Sequence, residues 1–573
     1  MDLFLWKIGG EAGFGIMTTG LSFGKVAIRS GYHVFDYNEY PSLIRGGHNT
    51  YEVMISSQEV YAQKQDIDLL VCLNKDTYTH HKHRLTDKSI VVYDADEFTI
   101  EETGFVKLHI PFASMKKEHH VMQIMVNTIA LGASLALLSG DIAIFYEIIE
   151  KEFKRKGEEV IAFNKKLTDL GFNYIKEHYS EHIKPVLTRK QEKSKMILTG
   201  NDAFSLAAVV ADCRFYAAYP MTPSSTVLTS LAGWQDKSKM VVRHAEDEIA
   251  VMNTVLGASF AGVRSATGTS GGGFALMVEG ISFAGVAEIS VVVFLSQRPG
   301  PATGMPTWTE QGDLLFAVNA GHGEFPKIVL APGDIHEMFE LTLKAFDLAD
   351  IYQMPVIVMS DKFLSESHKS VNKEDISNLF ANYHPNRGKL VNAPGEGKYL
   401  RYKITDDGIS ERLLPGAPGA FYQVNSYEHV EDGHTTEEAA PRIEQVDKRS
   451  RKWQTYLDSH FKAPRVYGDI ETADAVFVSW GGNKGPIIEA QKMLDAQGKK
   501  TAYIHFTHIY PMNTSIVKDI LSKDKRYILI ENNAHGQFGK LLTMETGIMI
   551  KESLLKYDGR PIYKEEIVAK VNT

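Results

Sequence analysis

Short apolar runs, glycine turns and amphipathic stretches alternate along this chain. Leu3–Ile8 is an apolar strand that runs into Gly9-Gly-Glu-Ala-Gly-Phe-Gly15 and then into a helical stretch, Ile16–Arg29. Val34–Tyr37, Leu69–Leu73 and Ile90–Tyr93 are further strands, Val121–Ser139 reads as a long apolar helix, and Ala143–Tyr179 as an amphipathic one. This alternation predicts an open α/β sheet. A polar linker, 184–195, follows. A second unit starts at Ile197–Gly200 and continues through Val241–Arg243, the helix Ile249–Ala261 and the glycine-rich Thr267–Gly273. The β-branched run Ile289–Leu295 has the composition of a strand buried on both faces, and Val356–Ser360 is the last strand of this unit. Residues 371–460 lack clear periodicity, as a wrapping or functional segment does. Ala475–Val478, the helix Ile487–Gln497, Thr501–His505 and Tyr527–Ile530 make a third α/β unit. The predicted fold class is therefore α/β, with three open α/β domains over 1–183, 196–370 and 461–573, and 371–460 as a connecting segment.

A length of 573 residues fits about three or four domains. A hydrophobic fraction of 44% with 23% charged residues describes an ordinary globular protein. The formal net charge of −9, without a dense Lys/Arg stripe, argues against a nucleic-acid partner. No apolar run reaches the roughly 18 residues that span a bilayer, and an N-terminus interrupted by Asp2 and Lys7 and followed at once by Gly9-Gly10 does not read as a signal peptide, so a cytoplasmic location without a membrane is expected. Two isolated cysteines, Cys72 and Cys213, predict neither a zinc site nor an iron–sulfur cluster held by this chain. The histidines of Thr79-His-His-Lys-His83 and His119-His120 read as solvated helix ends rather than metal ligands, and no metal site is expected here.

The sharpest local chemistry is Tyr219-Pro-Met-Thr-Pro-Ser-Ser225, followed by His244-Ala-Glu-Asp-Glu248. Pro220 and Pro223 stiffen a turn from which Thr222, Ser224 and Ser225 offer hydroxyls to a small polar substrate. Glu246, Asp247 and Glu248 open an apolar helix. The helix dipole alone favours carboxylates there, whereas one drawn into the core would be a proton donor or acceptor. Glu248, placed one turn inside, is the candidate, although periodicity does not choose among the three acids. Gly10, Gly13 and Gly15 do not keep the spacing of a dinucleotide loop, and Thr267–Gly273 lacks the lysine of a Walker loop. Ser42-Leu-Ile-Arg-Gly-Gly-His48 sets Arg45 beside Gly46 and Gly47, which suits an anionic ligand, a neighbouring chain, or an ordinary surface loop.

Together these residues resemble the alpha subunit of 2-oxoacid:ferredoxin oxidoreductases, in the form whose gamma domain is fused at the N-terminus. Gly9–Gly15, Tyr40–His48 and Asn127–Gly132 resemble the Rossmann-like gamma domain. Tyr219–Ser225, His244–Ala250, Thr269–Phe274 and Gln297–Asp313 resemble the thiamine pyrimidine-binding domain, and Glu428–His434 the connecting segment. Trp480–Gly485 and Glu531–Gln537 resemble the transketolase C-terminal-like domain. The resemblance implies coenzyme A-dependent oxidative decarboxylation of a 2-oxoacid, with 2-oxoglutarate going to succinyl-CoA as the expected case, or the reverse carboxylation, with electrons passed to ferredoxin. Pyruvate or another 2-oxoacid, and a non-catalytic binding subunit, are the alternatives. It gives Glu248 the hydrogen bond to N1′ of the thiamine aminopyrimidine, with Tyr219 and Pro220 beside that cofactor. Thr222, Ser224 and Arg298 become substrate-binding residues, and Arg45, Gly46 and Gly47 a coenzyme A site or interface. The GDG motif that holds the diphosphate metal in thiamine enzymes does not precede Asn532-Asn533. A beta subunit is therefore expected to supply Mg2+, its share of the thiamine pyrophosphate site and a four-iron (4Fe-4S) cluster, in an (alpha-beta)2 heterotetramer. Trp308 stands where many relatives carry Arg or Lys, which leaves the carboxylate anchor open.

Overall fold

The computed structural model describes residues 3–43, 46–190 and 194–573. Two compact units emerge, one spanning 1–198, 366–376 and 563–569, the other 199–365, 377–562 and 570–573. The N-terminal unit is built on an eight-stranded sheet. Its order is Val106–His109, Ile90–Tyr93, Leu69–Cys72, Phe4–Glu11, His48–Ser56, His33–Glu39, Lys369–Asn372, Lys195–Leu198. Ile197 thus belongs to the first sheet rather than opening the second unit, and Val356–Ser360 is followed by a further strand, Lys369–Asn372, that crosses back to it. Val186 and Leu187, inside the stretch read as a linker, are buried in this unit's core.

Helix Ile16–Arg29 starts where Gly13 and Gly15 take φ of 97° and 73°. Asn127 Nδ2 donates to the Phe14 carbonyl at 2.9 Å, and a Cβ on Gly15 would lie 2.3 Å from that nitrogen, so close packing explains the glycine. The stretch read as one amphipathic helix is two, Ile142–Phe153 and Glu158–His178, broken at Gly157, whose φ is 97°. His81 is buried rather than solvated, with Nε2 3.0 Å from Nε2 of His48. Burial is the main cause holding its pKa far below the ordinary histidine value.

The second unit holds two large sheets and a two-stranded one, Leu390–Val391 with Arg412–Leu413. One has the order His508–Tyr510, Ile328–Leu330, Pro355–Asp361, Val291–Gln297, Arg264–Thr269, Cys213–Ala218, Val241–His244, parallel except at His508–Tyr510. Val291–Gln297 is buried at every position, as a central parallel strand should be. The other has the order Arg465–Tyr467, Thr501–Phe506, Ala475–Trp480, Tyr527–Glu531, Glu552–Leu555. The segment without periodicity contains a 21-residue helix, Ala439–Ser459. Its buried face carries Lys448 and Lys452, which close on the buried Glu288 carboxylate at 2.5 and 2.6 Å. A charged face turned inward leaves no apolar stripe for the sequence to show. No single helix among the described residues is long and apolar enough to cross a membrane.

Candidate functional site

Open parallel sheets bind ligands beyond the carboxyl ends of their strands. In the second unit those ends carry Tyr219, His244, Ser270 and Arg298. Helix Glu248–Phe260 begins there, capped by Asp247, whose side chain accepts from the Ala250 amide at 2.8 Å. Glu246 is exposed, Asp247 is occupied as the cap, and Glu248 is 3% exposed at the first helical position, not a turn further in. The fold thereby chooses among the three acids. Glu248 Oε1 has no protein partner among the described residues. Burial raises its pKa, and neighbouring Asp247 pushes the same way.

The opposing wall is the start of helix Gly271–Val286. A Cβ on Gly273 would lie 2.3 Å from Glu248 Oε1 and 2.1 Å from Thr269 Oγ1, and one on Gly271 would lie 2.5 Å from Asp313 Oδ2. Two glycines therefore bring two buried carboxylates against one helix start. Asp313 Oδ2 and Ser270 Oγ also lack protein partners among the described residues. Buried polar atoms are rarely left unsatisfied, so this cluster has the character of a polar ligand site.

The hydroxyl turn lies along the same edge. Thr222 is half-buried, and its carbonyl accepts from Arg298 Nη1 at 2.8 Å. Ser224, expected to bind substrate, is 2% exposed and donates its hydroxyl to the Met221 carbonyl at 2.8 Å, so it closes the turn instead. Asn201 Nδ2 reaches the Pro223 carbonyl at 2.7 Å and braces the turn from behind. Tyr219 and Pro220 are exposed, Tyr219 with its ring centroid 6.1 Å from that of His244.

Arg298 and Asp313 mark the two ends of the loop 298–313. Burial pulls the Arg298 guanidinium below its usual value and pushes Asp313 up to about 6; attraction between the two opposes both shifts and does not overcome them. Burial, with Asp313 nearby, also pushes Glu310 up to about 7. Gln311 fixes the loop to the C-terminal sheet. Its amide donates to the Asn532 carbonyl at 2.7 Å, and its side chain donates to the Trp480 carbonyl at 3.1 Å and accepts from Asn483 at 2.8 Å. Glu310, Gln311 and Asp313 are not among the residues expected at the site from the sequence; the polar run Thr309-Glu-Gln-Gly-Asp313, between a Pro- and Gly-rich loop and the apolar start of Leu314–Asn319, is the signal that marks them.

Arg45 lies outside the described residues. Gly46 and Gly47 belong to the N-terminal unit at φ of 76° and 78°, and a Cβ on Gly47 would lie 2.4 Å from Pro41 Cγ. That unit also holds a cavity of about 700 Å3, walled by Leu131, Phe145, Ile149, Phe153 and Phe163, which contains none of the predicted site residues.

Residues 5–174 match a family model described as pyruvate ferredoxin/flavodoxin oxidoreductase. Residues 206–448 match one described as pyruvate flavodoxin/ferredoxin oxidoreductase, thiamine diP-bdg. The chain is 31% identical to a 2-oxoacid:ferredoxin oxidoreductase subunit alpha from Sulfolobus sp, over 98% of this chain and 95% of the relative. It is 32% identical to the subunit alpha of that name from Saccharolobus solfataricus, over 98% and 96%. Among solved structures it resembles a 2-oxoglutarate:ferredoxin oxidoreductase from Magnetococcus marinus with 2-oxoglutarate, coenzyme A and succinyl-CoA bound. The TM-score is 0.93 at 32% identity, covering 100% of this chain and 99% of the other.

Proposed function

Because the chain belongs to the family of 2-oxoacid:ferredoxin oxidoreductase alpha subunits, we propose that it activates 2-oxoglutarate for coenzyme A-dependent conversion to succinyl-CoA, or for the reverse carboxylation, with ferredoxin as electron partner. The observation that carries this reading is the buried, unpartnered Oε1 of Glu248 at the edge of a parallel sheet, a setting that fits the ring nitrogen of a thiamine aminopyrimidine. When bound, thiamine diphosphate supplies the carbon nucleophile and the electron sink that decarboxylation of a 2-oxoacid requires. Glu248, its pKa raised by burial, holds a proton on Oε1 toward that ring nitrogen. Tyr219 and Pro220 border the ring. Arg298 fixes the backbone of Thr222 through the 2.8 Å bond to its carbonyl, so that the Thr222 hydroxyl meets the substrate from a rigid turn. Ser224 holds that turn closed. Arg298, poorly solvated, favours a substrate carboxylate over water.

The diphosphate's Mg2+ and the iron–sulfur cluster fall to a beta subunit, in an (alpha-beta)2 assembly in the cytoplasm. Cys72 and Cys213 support this division, being buried, unpaired and in separate units. Arg45, Gly46 and Gly47 take coenzyme A or the partner's surface. Trp308 brings no charge of its own for a substrate carboxylate, which leaves a second reading open, with pyruvate or another 2-oxoacid as the substrate. The test is to purify the chain with its partner and to measure iron, thiamine and coenzyme A-dependent viologen reduction across a panel of 2-oxoacids. Glu248→Gln should lower turnover by about 10²–10⁴-fold with the complex still assembled; near-normal turnover would remove Glu248 from the chemistry.

A further inference from the structure

We propose that Gly272 is the floor on which the aminopyrimidine ring of thiamine diphosphate packs, between Met221 and the Ala302 carbonyl; the proposal rests on the functional reading above. Helix Gly271–Val286 opens with three glycines in succession. Glycine is among the weakest helix formers, so each of the three calls for a reason.

Packing within the protein explains two of them. A Cβ on Gly271 would lie 2.5 Å from Asp313 Oδ2, and one on Gly273 would lie 2.1 Å from Thr269 Oγ1 and 2.3 Å from Glu248 Oε1. Gly272 is different. It is exposed, and its φ lies outside the left-handed region. A Cβ there would meet the Ala302 carbonyl oxygen and the Met221 methyl at 3.9 Å and the Met221 sulfur at 4.0 Å, all ordinary contacts. Neither the backbone nor a neighbour among the described residues requires glycine at this position. The remaining role of a glycine is to let a ligand approach the backbone closely.

The surroundings define the chemistry of that ligand. Gly272 adjoins Gly273, and successive Cα atoms are about 3.8 Å apart, so the buried, unpartnered Glu248 Oε1 lies within about 8 Å of the Gly272 Cα. A ring whose nitrogen meets Glu248 therefore spans the distance to Gly272. Met221 stands beside the same glycines, its sulfur accepting from Thr269 Oγ1 at 3.9 Å, and a thioether is a favourable neighbour for an aromatic ring. Ser270 is the N-cap residue of the helix, yet its side chain makes no cap bond and its buried hydroxyl has no protein partner among the described residues. The first amides of the helix also have no partner within it. A flat heteroaromatic ring suits all of these: its face takes the bare backbone and its nitrogens take the polar groups. An aliphatic 2-oxoacid has no such face.

The experiment uses the purified complex, stripped of thiamine diphosphate with a chelator and then titrated with it. The rise in melting temperature and the cofactor retained after desalting are the readouts. Gly272→Ala adds a methyl that the protein itself accommodates, so the stripped complex should assemble and melt at the wild-type temperature or above it. The same methyl takes the ring's place, and the thiamine diphosphate concentration for half-maximal stabilisation should rise on the order of ten- to a hundredfold. Gly233→Ala is the control, at an exposed glycine of helix Ser225–Ser238 where the added methyl meets nothing within 4 Å; it should leave that concentration unchanged. Unchanged cofactor affinity in Gly272→Ala overturns the proposal, as does an equal loss in both variants. A Gly272→Ala chain that no longer assembles, or whose stripped complex melts lower, overturns it too, because the glycine then serves the partner's surface or the fold. A wild-type complex that neither contains nor binds thiamine brings down the functional reading itself, a result distinct from tight binding indifferent to Gly272.

Discussion

At the scale of single residues, buried carboxylates divide between the site and its support. Asp361 belongs to the support: it is 4% exposed, accepts from the Leu364 amide at 2.9 Å, and would lie 2.6 Å from a Cβ on Gly482. Burial pushes it up to about 6, against the hydrogen bonds that pull the other way. An unfolded aspartate titrates near about 4. Between those values folded Asp361 binds more protons than in the unfolded chain, so its contribution to stability is full below about pH 4 and is lost as pH rises through about 6. Asp361→Asn lacks this term. Thermal unfolding across that window should show wild type losing on the order of 3 kcal/mol relative to the variant, and parallel pH curves would contradict the assignment. The sequence made Glu248 a candidate because an acid at the head of an apolar helix is conspicuous. It offered no comparable sign for Asp361, which is enclosed by segments brought from 309 and 482.

At the scale of elements, glycines decide how closely the walls of the site approach. Alanine is the better helix former, so Gly273→Ala should strengthen the helix if local propensity ruled. The added methyl meets Glu248 Oε1 and Thr269 Oγ1 well inside contact distance, and the glutamate must move. A displacement of about 1 Å in such a group costs on the order of a hundredfold in rate. Turnover should fall by that order while the melting temperature changes little; full activity in Gly273→Ala would mean that Glu248 does not work from this position. Helix Ala439–Ser459 shows the opposite case. Its sequence reads as irregular because its buried face is made of Lys448 and Lys452, and their partner Glu288 lies about 160 residues earlier in the chain.

At the scale of the whole molecule, the two cysteines lie in separate units. Burial pushes the Cys213 thiol up to about 12 and Cys72 higher still, so neither presents the thiolate that iron requires. The complex carrying Cys72→Ala and Cys213→Ala together should keep its full iron content by metal analysis. A loss of iron would place a cluster ligand in this chain. The connectivity is also a property of the whole: 366–376 and 563–569 return to the N-terminal unit, and Lys369–Asn372 lies between His33–Glu39 and Lys195–Leu198 in its sheet.

The sequence by itself determined the alternation of strand, glycine turn and helix, the helix Ile16–Arg29, the buried central strand and the acid at the head of Glu248–Phe260. Each is written in the order of apolar and polar residues within a few turns of chain, because burial on one face imposes a local period. The tertiary structure alone decided that Ile197 joins the first sheet, that Ser224 faces its own backbone, and that Arg560 lies on Trp308. The first and last are pairings between segments more than 150 residues apart, which leave no period in either partner, and the Ser224 contact is set by the local turn, which a residue type alone does not reveal.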